Sequence, residues 1–172
     1  MKIVLLGYMG SGKSTIGRAL AKKNHVSFID LDEYIEEKEG KTIFKIFEKQ
    51  GEVYFRKQEH VYLEEILKEK KDFVLSLGGG TPCYAGNMDV LLSCKDVKIV
   101  YLKTTINTIV DRLRNEKSQR PLVASLGEED LKEFVAKHLF ERSYFYNQAT
   151  FKITVDDKNI DEIIEELNKL LS

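Results

Sequence analysis

The sequence predicts an α/β fold in which helices cover both faces of a parallel β-sheet, giving three layers. Short apolar runs rich in β-forming residues alternate with longer segments of helical period, which is typical of consecutive βαβ units. A chain of 172 residues suits one domain with a single hydrophobic core. The predicted strands, each apolar enough for burial on both faces, are residues 2–6, 26–29, 73–77, 97–102 and 151–155.

Between and after these strands, apolar residues recur at helical spacing, which places them on one helix face. Two such stripes are predicted to pack on the sheet. They consist of Ile106, Ile109, Val110 and Leu113, and of Ile160, Ile163, Ile164, Leu167, Leu170 and Leu171.

Two segments depart from the simple alternation. Residues 31–70 contain several charged helical pieces interrupted by Gly40 and Gly51, which is more chain than one crossover helix requires. Residues 115–130 are polar and lack a sustained apolar stripe, so they are predicted to form a surface loop. That loop is either a lid over a site or a connection without a function.

Composition excludes several classes of protein. The 27 Lys and Arg residues against 28 Asp and Glu give a net charge of −1, so no overall basic field favours nucleic acid. No apolar run approaches the roughly 18 residues of a membrane-spanning helix, and the first apolar run is too short for a signal peptide. Cys83 and Cys94 form no CxxC pair, so we expect reduced thiols in a cytoplasmic protein rather than a disulfide or zinc site.

The most specific motif follows the first predicted strand. Residues 7–14 read Gly-Tyr-Met-Gly-Ser-Gly-Lys-Ser, a complete GxxxxGK[ST] nucleotide loop that opens a helical stretch at 15–22. Glycines let the backbone N–H groups approach phosphate oxygens, and the start of the helix adds a favourable dipole. Lys13 is expected to reach the β- and γ-phosphates and Ser14 to contact Mg²⁺. A plain glycine-rich turn is the alternative. The predicted nucleotide-binding residues are Gly10, Ser11, Gly12, Lys13, Ser14 and Thr15.

Two carboxylates follow the second strand. Asp30 and Asp32 stand one residue apart at the carboxyl end of that strand, where open α/β sheets bind their ligands. Either aspartate alone could merely cap the following helix. Beside a nucleotide loop, the pair suits a division of roles, with Asp30 on the hydration shell of Mg²⁺ and Asp32 on an acceptor hydroxyl.

Three consecutive glycines, Gly78, Gly79 and Gly80, end the third strand. This strand lacks the aspartate that many nucleotide-loop proteins carry there, so Asp30 would have to supply that carboxylate. Glycine runs are costly in conformational entropy, so they indicate backbone that must approach a ligand closely. A flexible turn is the alternative interpretation.

Three arginines lie in informative places: Arg56 in the extra segment, Arg120 in the polar loop and Arg142 in the stretch Glu-Arg-Ser-Tyr at 141–144. Guanidinium groups bind carboxylate and phosphate well, so a small acidic acceptor and the transferred phosphoryl group would explain them. Each could otherwise be an exposed surface charge. The histidines lie outside these motifs and receive no role; they are His25, His60 and His138.

Together, these motifs resemble those of the shikimate kinases, and the resemblance runs over nearly the whole chain. The matching segments are residues 7–21, Asp30 to Asp32 with Ile35 and Glu36, residues 43–47, residues 51–59, the triple glycine, Arg120 to Leu122, and Arg142 with Tyr146 and Ala149.

The resemblance implies a P-loop kinase with a five-stranded parallel sheet, a helical substrate-binding insertion at about 31–60 and a lid at about 115–125. It implies transfer of phosphate from Mg-ATP to the 3-hydroxyl of shikimate, on the route to chorismate and the aromatic amino acids. It also implies a single-domain protein with a small-molecule partner; a monomer is the default expectation.

Site residues also follow from the resemblance. The catalytic residues would be Lys13, Asp32 and Arg120, with Ser14 and Asp30 at the metal. Arg120 would meet the β- and γ-phosphates, and Arg112 would stack on adenine, with Arg114 as the open alternative. Shikimate would be held by Asp32, Phe47, Phe55, Arg56, Gly78, Gly79, Gly80 and Arg142.

Two rivals remain at this point. A kinase for another small hydroxylated acid, such as gluconate, would share the nucleotide loop and the aspartate pair. A nucleotide-sensing module would bind ATP without transferring phosphate. Arg56, the triple glycine and Arg142 acting together favour the shikimate kinase interpretation over the first rival, and turnover distinguishes the second.

Overall fold

A computed structural model describes residues 1–116 and 121–172 of the chain. Within these residues, five parallel strands form one sheet in the order β2-β3-β1-β4-β5. This confirms the predicted parallel sheet, and each strand lies within one residue of its predicted bounds. The strands are β1 (Lys2–Leu6), β2 (Ser27–Asp30), β3 (Phe73–Ser76), β4 (Val97–Lys103) and β5 (Phe151–Thr154).

The central strand, β1, is buried on both faces because helices cover the sheet on either side. Its alternate residues enter two apolar clusters: Val4 and Leu6 belong to one, and Ile3 and Leu5 to the other. All four side chains are at most 1% exposed. A strand of this kind reads as a continuous apolar run, which is why the sequence pattern identified it.

The described helices fill the two outer layers. None of those in residues 1–116 and 121–172 combines the length and apolar character that crossing a membrane requires. A short 3₁₀ helix (Thr81–Cys83) follows β3. The helices are α1 (Lys13–Lys23), α2 (Leu31–Glu39), α3 (Ile43–Leu67), α4 (Asn87–Ser93), α5 (Ile106–Asn115), α6 (Pro121–Ala124), α7 (Glu128–Tyr146) and α8 (Ile160–Leu171).

The extra chain between β2 and β3 forms α2 and a long, broken α3. Gly40 ends α2 in a left-handed conformation with φ 64°, and the Thr42 side chain caps α3 by accepting from the Lys45 N–H. Gly51 has φ 83° and ψ 172°, which interrupts the helical path of α3. The two glycines that punctuate this segment in the sequence therefore mark real breaks.

The described part of the polar segment at 115–130 contains more helix than the sequence predicted. Helix α5 runs to Asn115, α6 occupies Pro121–Ala124 and α7 begins at Glu128. The centre of the predicted lid, residues 117–120, lies outside the described residues.

Helix α7 itself was not predicted, for a physical reason. Its apolar residues are spread around the axis: Leu131 and Val135 are fully buried, whereas Phe140 and Tyr144 are 83% and 72% exposed. No single apolar stripe therefore distinguishes this helix in the sequence.

The topology creates a crevice at the carboxyl end of the sheet. The chain leaves β1 toward β2 on one side and later crosses to β4 on the other side. The loops after β1, β2 and β3 open at the same edge because all the strands are parallel. The nucleotide loop, the two aspartates and the triple glycine are thereby brought together.

Candidate functional site

The nucleotide loop takes the conformation that its glycines allow. Gly10 and Gly12 have φ of 78° and 88°, a left-handed region that side chains disfavour. Gly12 immediately precedes α1, so the free N–H groups of the first turn face the loop. The loop and the helix start together present backbone donors on one side, which is the geometry that favours an anion.

Lys13 bends back over this loop. Its side chain is largely buried, and its Nζ donates to the carbonyl oxygens of Gly7 at 2.8 Å and Tyr8 at 3.0 Å. These contacts hold the ammonium group beside the space where phosphate oxygens would lie. The loop therefore presents one positive charge and several backbone donors to an anion.

Asp30 caps the helix that follows it and also contacts the nucleotide loop. Its Oδ1 accepts from the N–H groups of Asp32 at 3.0 Å and Glu33 at 3.3 Å, so it caps α2. Its Oδ2 accepts from Ser14 Oγ at 2.7 Å, which links the second strand to the nucleotide loop. A hydroxyl and a carboxylate oxygen at this spacing are ligands of the type that Mg²⁺ prefers. The residues present therefore fit a magnesium ion.

Asp32 lies in an environment that opposes its negative charge. Burial, followed by repulsion from Asp30 and Glu59, raises the pKa of Asp32 to about 6, although Lys13 acts in the opposite direction. A carboxylate with a pKa near neutrality is a better proton acceptor than an ordinary exposed aspartate. The electrostatics therefore suit Asp32 to a role as a general base.

The triple glycine brings the charged residues together. A β-carbon at Gly78 would lie 3.2 Å from Asp32 Oδ1, and one at Gly80 would lie 3.0 Å from an Arg56 guanidinium nitrogen. At Gly79 it would lie 3.1 Å from Arg142 and 3.4 Å from the Met9 amide nitrogen. Larger residues would press on these groups, so the glycines keep open the space between them.

Arg56 is held by a fully buried carboxylate. Its Nη1 lies 3.0 Å from Glu59 Oε1, while Glu59 Oε2 accepts from Thr81 Oγ1 at 2.8 Å. The Arg56 guanidinium also lies 3.9 Å from the centre of the Tyr84 ring. Burial raises the pKa of Glu59, but Arg56 and Thr81 act against this shift. The arrangement fixes the guanidinium beside Gly80.

Sequence reasoning did not assign roles to three of these neighbours: Glu59, Thr81 and Tyr84. A signal for the first was present, since Glu59 lies one helical turn after Arg56 on α3, where charged side chains meet. Thr81 and Tyr84 lie shortly after the triple glycine in the sequence. Only the structure, in which a 3₁₀ helix (Thr81–Cys83) forms there, shows that they turn toward α3.

Arg142 projects from α7 toward the same turn. Its guanidinium lies 5.4 Å from the centre of the Tyr8 ring, which belongs to the nucleotide loop. One helical turn further on, the hydroxyl of the fully buried Tyr146 donates to the Gly79 carbonyl oxygen. Helix α7 thus touches both the nucleotide loop and the triple glycine.

The two predicted ring-wall residues lie on α3. The Phe47 and Phe55 rings are 4.7 Å apart between centres, and the second lies 5.2 Å from the Arg56 guanidinium. Phe55 is only 3% exposed and belongs to the apolar core, whereas Phe47 is partly buried at its edge. They form an apolar surface beside Arg56.

The structure separates two arginines that the sequence left as alternatives. Arg112 donates from Nη1 to the Gly10 carbonyl oxygen at 2.8 Å and lines the nucleotide cleft. Arg114 turns to the surface, where it pairs with Asp111 at 3.6 Å and with Glu128. Arg112 is therefore placed for contact with a nucleotide. Arg120, the predicted lid arginine, lies outside the described residues.

An open cleft of about 590 Å³ lies along the nucleotide loop. It runs from Lys158 and Ile160 at the start of α8, along the nucleotide loop, to Asp32, Gly78 and Gly79. This size is in the range of sites that hold a small molecule. The cleft therefore connects the nucleotide loop to the carboxylate that is suited to be a base.

Known proteins resemble this chain in both architecture and sequence. A family model described as shikimate kinase matches residues 9–172. The shikimate kinase of Flavobacterium johnsoniae is 50% identical over 171 residues, covering 99% of each protein. The crystal structure of shikimate kinase from Bacteroides thetaiotaomicron has a TM-score of 0.92 and 37% identity, covering 99% of this chain and 98% of that one.

A further solved structure, shikimate kinase from Acinetobacter baumannii in complex with shikimate, has a TM-score of 0.87 and 34% identity. The match covers 99% of this chain and 92% of that one. Both the family model and the relatives extend over nearly the whole sequence. The chain belongs to the shikimate kinase family.

Proposed function

We propose that this protein is a shikimate kinase that transfers the γ-phosphoryl group of Mg-ATP to the 3-hydroxyl of shikimate. The observation that carries the proposal is the convergence at the triple glycine. Asp32, Arg56 and Arg142, from three separate elements, each come within 3.2 Å of a β-carbon position on Gly78, Gly80 or Gly79. One base and two guanidinium groups suit an acceptor that has a hydroxyl and a carboxylate.

The nucleotide would occupy the loop after β1. Lys13 and the backbone N–H groups of Gly10, Ser11, Gly12 and Thr15 would bind its phosphates, and Arg112 would lie against its base. Ser14 and Asp30 would hold Mg²⁺, whose bound charge lowers the repulsion between the phosphates and the incoming oxygen. The Ser14–Asp30 hydrogen bond of 2.7 Å supports this pairing.

The acceptor would bind on the opposite side of Gly79. Arg56 and Arg142 would grip its carboxylate, and Phe47 and Phe55 would face its ring. The triple glycine would allow the ring to approach the main chain closely. The buried Glu59 and the Tyr84 ring orient Arg56 before the acceptor arrives, which reduces the entropy lost on binding.

In the chemical step, Asp32 would accept the proton of the 3-hydroxyl group. The resulting oxygen forms a bond to the γ-phosphorus, the bond from that phosphorus to the bridging oxygen breaks, and ADP leaves. Lys13 and Arg120 would stabilise the negative charge on the transferred group. The pKa of Asp32, near 6, supports its assignment as the proton acceptor.

The chain would act as one domain, with the insertion at about 31–60 forming the acceptor pocket and the segment at about 115–125 closing over both ligands. Closure would exclude water that could otherwise hydrolyse the nucleotide. We further propose a cytoplasmic monomer with no nucleic-acid or membrane partner. The net charge of −1 supports this view, since it provides no broad attraction for polyanions.

The test is release of ADP from Mg-ATP with shikimate, with gluconate and with no acceptor. We expect shikimate alone to accelerate release and to yield shikimate 3-phosphate. Acceleration by gluconate but not shikimate would support the rival kinase, and acceptor-independent nucleotide binding without turnover would support a sensing module. Either of those results contradicts the proposal.

A further inference from the structure

Asn87 carries a fully buried amide side chain just beyond the turn that follows the triple glycine. It is 0% exposed and is the first residue of α4. The two residues before it, Ala85 and Gly86, both have positive φ, of 52° and 69°, so the chain reverses there and brings Asn87 back to the turn. A buried amide is stable only where its polar atoms find partners, so its partners explain its position.

Asn87 holds both ends of the turn formed by residues 81–84. Its Nδ2 donates to the Thr81 carbonyl oxygen at 2.9 Å, and its backbone N–H donates to the Tyr84 carbonyl oxygen at 3.0 Å. One residue therefore fixes where this turn begins and where it ends. The directions of the Thr81 and Tyr84 side chains depend on these two bonds.

His60, on α3, fixes the orientation of the amide. Because the Thr81 carbonyl oxygen can only accept, the amide nitrogen must face it, and the amide oxygen is left for His60. His60 Nδ1 therefore donates to Asn87 Oδ1, at 2.7 Å. This nitrogen carries a proton both in the imidazolium form and in one neutral tautomer, so the bond exists in either charge state. The other ring nitrogen lies 3.7 Å from Glu64 Oε1.

The same turn contacts Arg56 in two ways. The Tyr84 ring lies 3.9 Å from the guanidinium group. Thr81 Oγ1 donates at 2.8 Å to Glu59 Oε2, and Glu59 Oε1 lies 3.0 Å from Arg56 Nη1. Glu59 shares α3 with Arg56, whereas Thr81 and Tyr84 come from a different part of the chain. The orientation of the guanidinium group therefore depends on where the turn lies relative to α3.

We propose that Asn87 is a positioning residue for acceptor binding: it holds the turn at 81–84 against α3 and thereby fixes Arg56 in the orientation that binds the acceptor carboxylate. The inference rests on the proposed function of Arg56. Asn87 and His60 act through the turn and do not touch the acceptor. Their loss should weaken acceptor binding and leave both nucleotide binding and the phosphoryl-transfer step unchanged.

The experiment is steady-state kinetics of ADP release with shikimate and ATP varied in turn. Asn87→Ala should raise the KM for shikimate about three- to tenfold, the range that one neutral hydrogen bond spans, while kcat and the KM for ATP change less than about twofold. Asn87→Asp keeps the shape and the acceptor for His60 but removes the donor to the Thr81 carbonyl oxygen, so it should raise this KM at least as much.

Two further variants accompany this pair. His60→Ala removes only the donor to the amide oxygen from a partly exposed position, so it tests the proposal even if Asn87→Ala does not fold; the KM for shikimate should rise about two- to threefold. The matched control is Asn24→Ala. The Asn24 amide also donates a hydrogen bond, at 3.3 Å to Asn168 Oδ1, but at the end of α1, and both KM values should stay near those of the wild type.

A double-mutant cycle separates positioning from general packing. It compares kcat/KM for shikimate, which can be read from the slope at low shikimate even where saturation is not reached. If Asn87 acts through Arg56, then adding Asn87→Ala or His60→Ala to Arg56→Ala should cause no further fall in kcat/KM. A residue that only stabilises the fold would lower kcat/KM by the same factor in both backgrounds.

Several results would overturn the inference. An unchanged KM for shikimate in Asn87→Ala or His60→Ala would do so, as would an equal rise in the KM for ATP or an additive cycle. A wild type whose ADP release is not accelerated by shikimate overturns the proposed function as well. An Arg56→Ala variant with the wild-type KM for shikimate overturns the role of Arg56, and this inference with it. The failures are therefore distinguishable.

Discussion

The two ends of the site are built in different ways. At the nucleotide end, the loop at residues 7–14 is one continuous segment that contains its own glycines, its lysine and the serine that we propose as a metal ligand. At the proposed acceptor end, Asp32, Arg56, the triple glycine and Arg142 come from four separate parts of the chain. The first end depends on local backbone conformation, and the second depends on how α3 and α7 pack beside β3.

This difference indicates where each half is sensitive. A change in the nucleotide loop alters the phosphate-binding atoms directly, so it should affect turnover whichever acceptor is used. A change at the acceptor end acts through contacts between elements, so it should mainly alter affinity for the acceptor. Asp32 lies between the two ends, so a change of this residue should alter both turnover and folding stability.

The largest effect is expected from Lys13→Ala. Loss of the ammonium group that lies over Gly7 and Tyr8 removes charge stabilisation from the transferred phosphoryl group. We expect kcat to fall on the order of a hundred- to a thousandfold, measured as ADP release with saturating shikimate. Lys23→Ala, an exposed lysine at the end of the same helix, is the matched control and should retain activity. Near-normal turnover in Lys13→Ala would mean that the loop is not the catalytic nucleotide site.

A smaller effect, confined to the acceptor end, is expected from Gly79→Ala. The added methyl group would lie 3.1 Å from Arg142, which must then shift. We expect the KM for shikimate to rise about tenfold, while the KM for ATP changes less than twofold, since a tenfold rise corresponds to about 1.4 kcal/mol and overpacking typically costs about 1–3 kcal/mol. Steady-state kinetics with each substrate varied in turn provides the measurement.

The matched control for that change is Gly127→Ala. Gly127 precedes α7 in an extended conformation with φ −65°, and a β-carbon there meets its nearest neighbour at an ordinary 3.6 Å. Its KM values should stay near those of the wild type. A matching rise in the KM for ATP in Gly79→Ala would show that the two ends are not separable in this way.

A third effect is expected in folding stability, from Asp32→Asn. Because the folded-state pKa of Asp32 is raised from 3.8 to about 6, the ionised carboxylate destabilises the fold above pH 6, and this penalty disappears as the pH falls toward 3.8. The variant should have a free energy of unfolding about 1–3 kcal/mol higher than the wild type at pH 7.5. Denaturant unfolding at pH 7.5 and pH 4.5 measures the difference, which should shrink at the lower pH.

Activity should change in the opposite direction. Asp32→Asn removes the proposed proton acceptor, so turnover should fall while stability rises, as is common for groups held in an unfavourable environment for function. The exposed Asp89, on α4, provides Asp89→Asn as a control with little effect on either quantity. A destabilised Asp32→Asn variant at pH 7.5 would contradict the raised pKa.

Much of the fold followed from the sequence because its signals are local. The five strands are continuous apolar runs, so their bounds were predicted closely, and the clear apolar stripes of α5 and α8 predicted where these two helices lie. Helix α7 gave no such signal because Phe140 and Tyr144 face solvent. The polar residues around 128 therefore suggested a loop where the structure has the start of α7.

The site divides in the same way. Pattern and spacing were enough to predict roles for the nucleotide loop and the aspartate pair. Resemblance to a known family, taken residue by residue, extended the prediction to the acceptor end. The sequence could not distinguish Arg112 from Arg114, because the two lie two residues apart on α5 and differ only in the direction in which their side chains leave the helix. It also gave His138 no role, since its partner Tyr8 lies 130 positions away.

By itself, the sequence determined the sheet, the phosphate-binding loop and the kind of ligand that such a loop accepts, because these depend on neighbouring residues and on backbone conformations that glycine permits. The tertiary structure alone decided which guanidinium groups meet the triple glycine and how Asp32 acquires a pKa near 6. It also decided that α7 ties Arg142 to Tyr8. These properties arise from burial and from contacts between distant segments, which exist only once the sheet has brought its loops to one edge.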